Sequence, residues 1–176
     1  MKVSAIVLAA AGVLLLPVAN VSTEGVNDAQ IASIVVTANQ VDIDAGQLAA
    51  SRATSDEVKA FARLMVTDHS GVNKAAIDLA TKLKLTPQDN PTSRSLKADG
   101  EKSLAHLKTL MGDAFDKAYI DREVEYHQQV IDALDKTLIP GVTNEALKAL
   151  LVKVRPAFVA HLEHARRLKA SASQKG

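Results

Sequence analysis

No cysteine occurs among the 176 residues, which excludes disulfides, thiol catalysis, zinc–thiolate and iron–sulfur sites, and lipid attachment through an N-terminal cysteine. Any metal must therefore be held by nitrogen and oxygen donors. The same absence is compatible with export to an oxidising compartment. Tryptophan is also missing and aromatic residues make up only 3%, so alanine and leucine must fill most of the core. That composition suits helices and suits sheets poorly. Neither sign of charge is in excess: 21 basic against 20 acidic residues leave a formal net charge of +1, and no nucleic-acid partner is expected. There is no phosphate-binding glycine loop, no nucleophile with a local base and no basic–aromatic patch, so no catalytic residue is assigned.

What is present begins with MKVSAIVLAAAGVLLLPVANVS. Lys2 is a short basic region, Val3 to Leu16 an apolar run and Pro17 a helix breaker, the pattern of a secretory signal peptide over residues 1–22. The apolar run is short of the ~20 residues a spanning helix needs. No transmembrane segment is expected once the leader is removed. No A-x-A cleavage site stands between Pro17 and Gly25, which leaves an uncleaved anchor as the alternative.

The rest reads as one domain over residues 27–171, with apolar residues recurring at helical spacing in four long stretches. Asn27 and Gln30 offer an N-cap to a first helix reaching about Ser51. In it Asp42 continues the series 31, 35, 38, 42, 45 and 49, whereas the series 34, 38, 41, 45 and 48 puts Val41 inside, so both directions stay open for this carboxylate. Thr54 with Glu57 forms a capping box for a second helix to about Lys84, whose stripe is Val58, Phe61, Met65, His69, Val72, Ala76, Leu79 and Leu83. TPQDNPTS and a short helix interrupted by Gly100 then make a long crossover. Phe115 to Leu138 is the third long helix, opened by Asp113 and Asp116, with His127 in the series Ile120, Val124, His127, Ile131, Leu134, Leu138. A turn at Ile139, Pro140 and Gly141 leads to a last helix from Thr143 or Asn144 to about Ala170, kinked at Pro156, with a frayed tail. Its stripe is Leu147, Leu151, Val154, Phe158, His161, Ala165 and Leu168. The predicted fold is all-α: a ferritin-like four-helix bundle with a long crossover between the second and third long helices.

Three of the five histidines thus fall in core register on three helices. Singly, a histidine on an apolar face is most often a satisfied core residue. Jointly they suggest a polar centre. Folding the first pair of helices about Ala53 sets His69 opposite Thr37 or Ala38, a turn from Asp42, and folding the second pair about Gly141 sets His161 opposite Asp121, nearer Glu123 than His127. The candidate metal ligands are therefore His69, His127, His161, Glu123 and Asp42, in one site or in two weaker centres. Val66 and Phe158 stand three residues before His69 and His161, so the Glu-x-x-His motifs of dinuclear iron bundles are missing there. A histidine-rich set with one or two carboxylates suits zinc, copper, nickel or a single iron. Tyr119 and Tyr126 are expected to pack with their hydroxyls on partners, and His106 and His164 to lie off the centre.

VTANQVDIDAGQLAASRATSDEVKAFARLMVTDHSGVN, FDKAYIDREVEYHQQVI and FVAHLEHA resemble the exported ferritin-like family catalogued as domain of unknown function 4142. The most specific pieces are Met-x-x-Asp-His from Met65 to His69, Phe-Asp-x-x-Tyr from Phe115 to Tyr119, His127, and His161 with Leu162. The resemblance spans Asp28 to Arg166 and implies the bundle fold and a small protein exported to a bacterial periplasm or cell envelope. Members commonly carry glutamate in the first helix where this chain has Asp42. The functional expectation is an exported bundle that binds zinc, copper or iron. The alternative is a metal-free structural or stress-associated envelope protein with histidines in its core. An oxidoreductase role would rest on fold analogy alone, and a homo-oligomer stays open.

Overall fold

The computed structural model describes residues 25–175, and the leader expected over residues 1–22 lies outside them. Among the described residues there is no strand, and no helix is long and apolar enough to cross a membrane. Helix α1 spans Asp28–Arg52, α2 Asp56–Lys82, α3 Pro91–Lys108 and α4 Gly112–Ala133. A π-helical turn at Leu134–Leu138 and a short segment α5, Ile139–Gly141, prolong α4, and α6 runs over Glu145–Lys175. The chain is an all-α bundle. Helix α1 packs along α2, α4 along α6, and α2 against α6, while α3 lies chiefly against α1.

The first helix starts where Asn27 and Gln30 exchange side-chain and backbone bonds of 2.9 and 3.0 Å. This is the capping box expected there. The other caps differ from expectation. Ser55, not Thr54, caps α2. Asp116 does not cap its own helix, whose N-cap is Met111 without a side-chain bond; it accepts from the backbone N–H groups of Thr54 and Ser55 and from the Thr54 hydroxyl at 2.7–3.1 Å. A carboxylate from one helix thus satisfies the orphan donors at the start of another. Helix α3 is not interrupted at Gly100. A Cβ there would stand 2.7 Å from Val41 Cγ2, so the glycine marks where α3 sits down on α1.

Helical structure also continues through Ile139, Pro140 and Gly141, where a turn was expected. Ile139 N–H bonds back five residues to the Leu134 carbonyl, and this wider register just before Pro140 lets the ring enter a helical segment. The connection instead falls at Val142 to Asn144, where Asn144 Oδ1 accepts from Ala146 N and Leu147 N. At the far end α6 continues to Lys175 rather than fraying after Ala170, with Pro156 inside it.

The apolar core forms two separate clusters. One holds Ile31, Ile34, Val35, Ile131, Leu134, Leu138, Leu151 and Phe158 among others. The second is built from smaller residues around three rings, including Ala45, Ala49, Phe61, Ala62, Met65, Phe115, Tyr119 and Ala165. Along α1, α2, α4 and α6 the buried residues between the clusters include Asp42, His69, Glu123 with His127, and His161. A polar layer thus divides the core at mid-height.

A candidate metal centre in the polar layer

Each long helix sends one or two polar side chains into this layer. Asp42, Glu123 and His127 have no exposed surface, His69 is 1% exposed and His161 5%. Asp42 faces inward, and Val41, the other choice left by the spacing, is half-buried against α3. All five residues named from the sequence lie in the layer. The donor atoms of His69, His127 and His161 lie within 4.8 Å of one another, and so do those of Asp42, Glu123 and His127.

The hydrogen-bond network assigns the protons on the three rings. Asn39 Nδ2 donates to the Val35 carbonyl at 2.8 Å, which turns Asn39 Oδ1 toward His69 Nδ1 at 2.9 Å. An amide oxygen only accepts, so Nδ1 of His69 carries a proton. His127 Nδ1 donates to the Glu123 backbone carbonyl at 3.0 Å. His161 Nε2 donates to Asp68 Oδ2 at 2.9 Å. Each neutral ring therefore keeps a lone pair on its other nitrogen: Nε2 of His69, Nε2 of His127 and Nδ1 of His161. Among the described residues those three buried atoms have no hydrogen-bond partner, nor do Asp42 Oδ2 and Glu123 Oε2. The rings stand 5.3–5.5 Å apart between centroids. Phe158 closes one side edgewise, 5.0 Å from His69.

Asp42 lies beside two of the rings. Its Oδ2 lies 2.8 Å from His69 Nε2 and 3.9 Å from His127 Nε2. The 2.8 Å contact is an ion pair where the ring also carries a proton on Nε2, and a place for another cation where it does not. Burial pushes the Asp42 carboxyl up, but His69 and then His127 and Arg122 outweigh it and hold the group well below the usual carboxylate range. Burial pulls His127 down to about 4, against the attraction of Asp42. It pulls His161 down as well, with Asp68 opposing. Both rings are therefore neutral at pH 7, the form that ligates. Donors around a tetrahedral ion with bonds of about 2.0–2.2 Å stand roughly 3.3–3.6 Å apart, and the donor atoms of the three rings lie within 4.8 Å of one another, so shifts of the order of 1 Å would bring the imidazoles to that spacing.

Glu123 has a different environment. The Arg122 guanidinium lies between the two carboxylates, its Nη1 donating to Asp42 Oδ1 at 2.9 Å and contacting Glu123 Oε1, and it stacks on Tyr126 with 4.6 Å to the ring centroid. Burial and then the neighbouring Asp42 raise Glu123 well above the usual carboxylate range in spite of Arg122. Burial opposes the charge on Arg122, yet Glu123 and Asp42 raise its pKa. It stays cationic.

Residues 16–168 match the family described as Domain of unknown function (DUF4142). The chain belongs to this family. Comparisons with curated proteins and with solved structures return no match. Three of the segments that carry the likeness to DUF4142, Met65 to His69, His127 and His161 with Leu162, bring all three buried histidines and Asp68 into the layer.

Spacing alone predicted that His161 would lie nearer Glu123 than His127. The structure places the His161 ring 5.4 Å from that of His127 and gives Glu123 to Arg122. The cause is the connection near Thr143: moving its centre two residues past Gly141 shifts the residue opposite His161 by about four, one helical turn. Asn39, Asp68 and Arg122 were not singled out. Asn39 lies three residues before Asp42 on the same face of α1, a usable signal; Asp68 and Arg122 follow no periodic pattern. Tyr126 donates to the Ala38 carbonyl at 2.7 Å as expected, whereas the buried Tyr119 hydroxyl has no hydrogen-bond partner among the described residues. His106 is exposed, and His164 packs edgewise on Phe61 at 5.0 Å.

Proposed function

We propose that this DUF4142 protein is an exported bundle that holds one transition-metal ion on His69, His127, His161 and Asp42. One observation carries the reading. Three buried imidazoles each have one nitrogen bonded to an outer acceptor and the other without a hydrogen-bond partner among the described residues; donor atoms of the three rings lie within 4.8 Å of one another, and Asp42 Oδ2 lies 2.8 Å from His69 Nε2 and 3.9 Å from His127 Nε2. That arrangement orients metal-ligating histidines, because an acceptor on the outer nitrogen sets the tautomer and the ring plane. Three nitrogens and one carboxylate suit zinc, copper or iron. Export rests on the leader pattern of residues 1–22.

The 2.8 Å contact between His69 Nε2 and Asp42 Oδ2 supports a second reading, in which a proton instead of a metal lies there and the layer is a metal-free polar core. One experiment separates the two. The untagged protein, exposed to zinc, copper and iron and desalted, is expected to retain one ion per chain by elemental analysis, and His127→Ala and His161→Ala to lose it. A wild-type chain that retains no stoichiometric ion rules out the metal reading.

A further inference from the structure

We propose that Arg122 occupies a second cation position beside that metal site, so that the centre is built to take a single ion and Arg122 is the residue that keeps it so; this rests on the proposed ligand set. The two oxygens of Asp42 face opposite ways. Oδ2 lies toward His69 Nε2 and His127 Nε2 at 2.8 and 3.9 Å, and Oδ1 lies 2.9 Å from Arg122 Nη1. A carboxylate presented in this way can bridge two cations. Paired-metal sites share such groups between ions about 3.5–4 Å apart.

On the second side two carboxylates face the same place. Glu123 lies across the same guanidinium nitrogen from Asp42, so an ion put in place of that nitrogen would meet an oxygen of each, while His127 stays with the first site. The second oxygen of Glu123, a fully buried side chain, has no hydrogen-bond partner among the described residues, so one carboxylate oxygen remains that the guanidinium does not satisfy. Arg122 itself is held by more than charge. Nη2 reaches the Val41 carbonyl at 3.4 Å and the fork stacks on Tyr126, which fixes it in the layer as a permanent, non-exchangeable cation.

The consequence is a stoichiometry. Wild-type protein titrated with Co2+, followed by its visible absorption and by elemental analysis after desalting, is expected to saturate at one ion per chain. Arg122→Met keeps an unbranched stem over Tyr126 and removes the charge, and it is expected to bind two. Arg122→Met with Glu123→Gln is expected to return to one, because the second ion loses its carboxylate. A single ion on folded Arg122→Met, or two on the wild type, overturns the proposal while leaving the first site standing; no ion on the wild type overturns the first site as well. Where Arg122→Met is unfolded without metal, its two buried carboxyls lacking their counter-charge, refolding serves as the readout. Recovery of helical circular dichroism only after a second equivalent of Co2+ then supports the exchange of guanidinium for metal. Recovery with one equivalent, or none at all, overturns it.

Discussion

Asn39 touches no metal in the proposed site, yet its replacement should weaken the site by a predictable amount. Its side-chain oxygen, 2.9 Å from His69 Nδ1, keeps the His69 proton away from Asp42, and both residues are 1% exposed. Asn39→Leu conserves volume and removes the acceptor. The Nδ1–H then loses its partner in a buried place, at about 1–3 kcal/mol. The ring has an inexpensive escape in the metal-free state: its proton moves to Nε2, where Asp42 Oδ2 waits at 2.8 Å. That tautomer blocks the nitrogen that a metal needs. Binding must restore the unfavourable tautomer, and loss of such an outer partner weakens metal sites by about 10–100-fold, or roughly 1.4–2.7 kcal/mol. Competition titrations with a chromophoric chelator would measure Kd for zinc in wild type and variant, with circular dichroism confirming equal helix content. A folded Asn39→Leu chain whose affinity lies within about twofold of wild type would refute the assigned tautomer and the role of Asn39.

Acid provides another test, on metal-free protein. His127 falls from an ordinary 6.5 to about 4 on folding, so between those values the unfolded chain binds the extra proton. The contribution of His127 to stability is then full above pH 6.5, falls as the pH drops toward 4 and levels off below it. The fall from 6.5 to about 4 corresponds to about 3 kcal/mol; because the raised Glu123 works in the opposite direction over the same range, urea unfolding of Glu123→Gln should show the decline, and stability of that variant that is flat or rises toward pH 4 contradicts a neutral buried His127. Two glycines in helices should respond with opposite signs to alanine. At Gly71 a Cβ meets nothing within 4 Å, and Gly71→Ala should stabilise by about 0.5–1 kcal/mol. At Gly100 it would stand 2.7 and 2.8 Å from the two Val41 methyls, and overpacking of about 1–3 kcal/mol should exceed the propensity gain. Thermal unfolding checks both, and a Gly100→Ala chain as stable as Gly71→Ala would mean that α3 does not seat on α1 as described.

How much of this was legible depends on the range of the interaction involved. Local rules found the α1 capping box, the four long helices and the histidines in core register, because each needs only neighbours three or four residues apart. The same rules misplaced Asp116. Three residues after Asp113 it resembles half of a capping box, but its partners, Thr54 and Ser55, lie 62 and 61 residues back in the chain. Pro140 and Gly141 look like a turn by composition, and a five-residue hydrogen bond from Ile139 to Leu134 carried the helix through them. That single error propagated: it moved the α4–α6 register by a turn and made Glu123 the expected neighbour of His161. Asp42 was undecided because α1 offers two apolar series, and only the packing of α3 against Val41 selects between them. Arg122 had no signal, since a basic residue beside a glutamate in an amphipathic helix ordinarily faces water.

The placement of the polar residues is itself an argument about purpose. A bundle selected only for stability would continue its apolar stripes through mid-height, because well-packed hydrophobic side chains of similar volume are as stabilising as buried ion pairs or more so. Here the apolar patterning of α1, α2, α4 and α6 is kept on both sides of the layer and abandoned inside it, at Asp42, His69, Glu123, His127 and His161 together. A buried polar network is tolerable when all its members are satisfied. This one is satisfied on its outer side, by Asn39, the Glu123 carbonyl, Asp68 and Arg122, and is left unsatisfied on the inner atoms that converge. A network serving only to specify the packing of the bundle gains nothing from that asymmetry, whereas a cation placed among the ring nitrogens and Asp42 Oδ2 would satisfy those atoms at once. Local rules broken together in one layer, and kept elsewhere, are expected at a functional site.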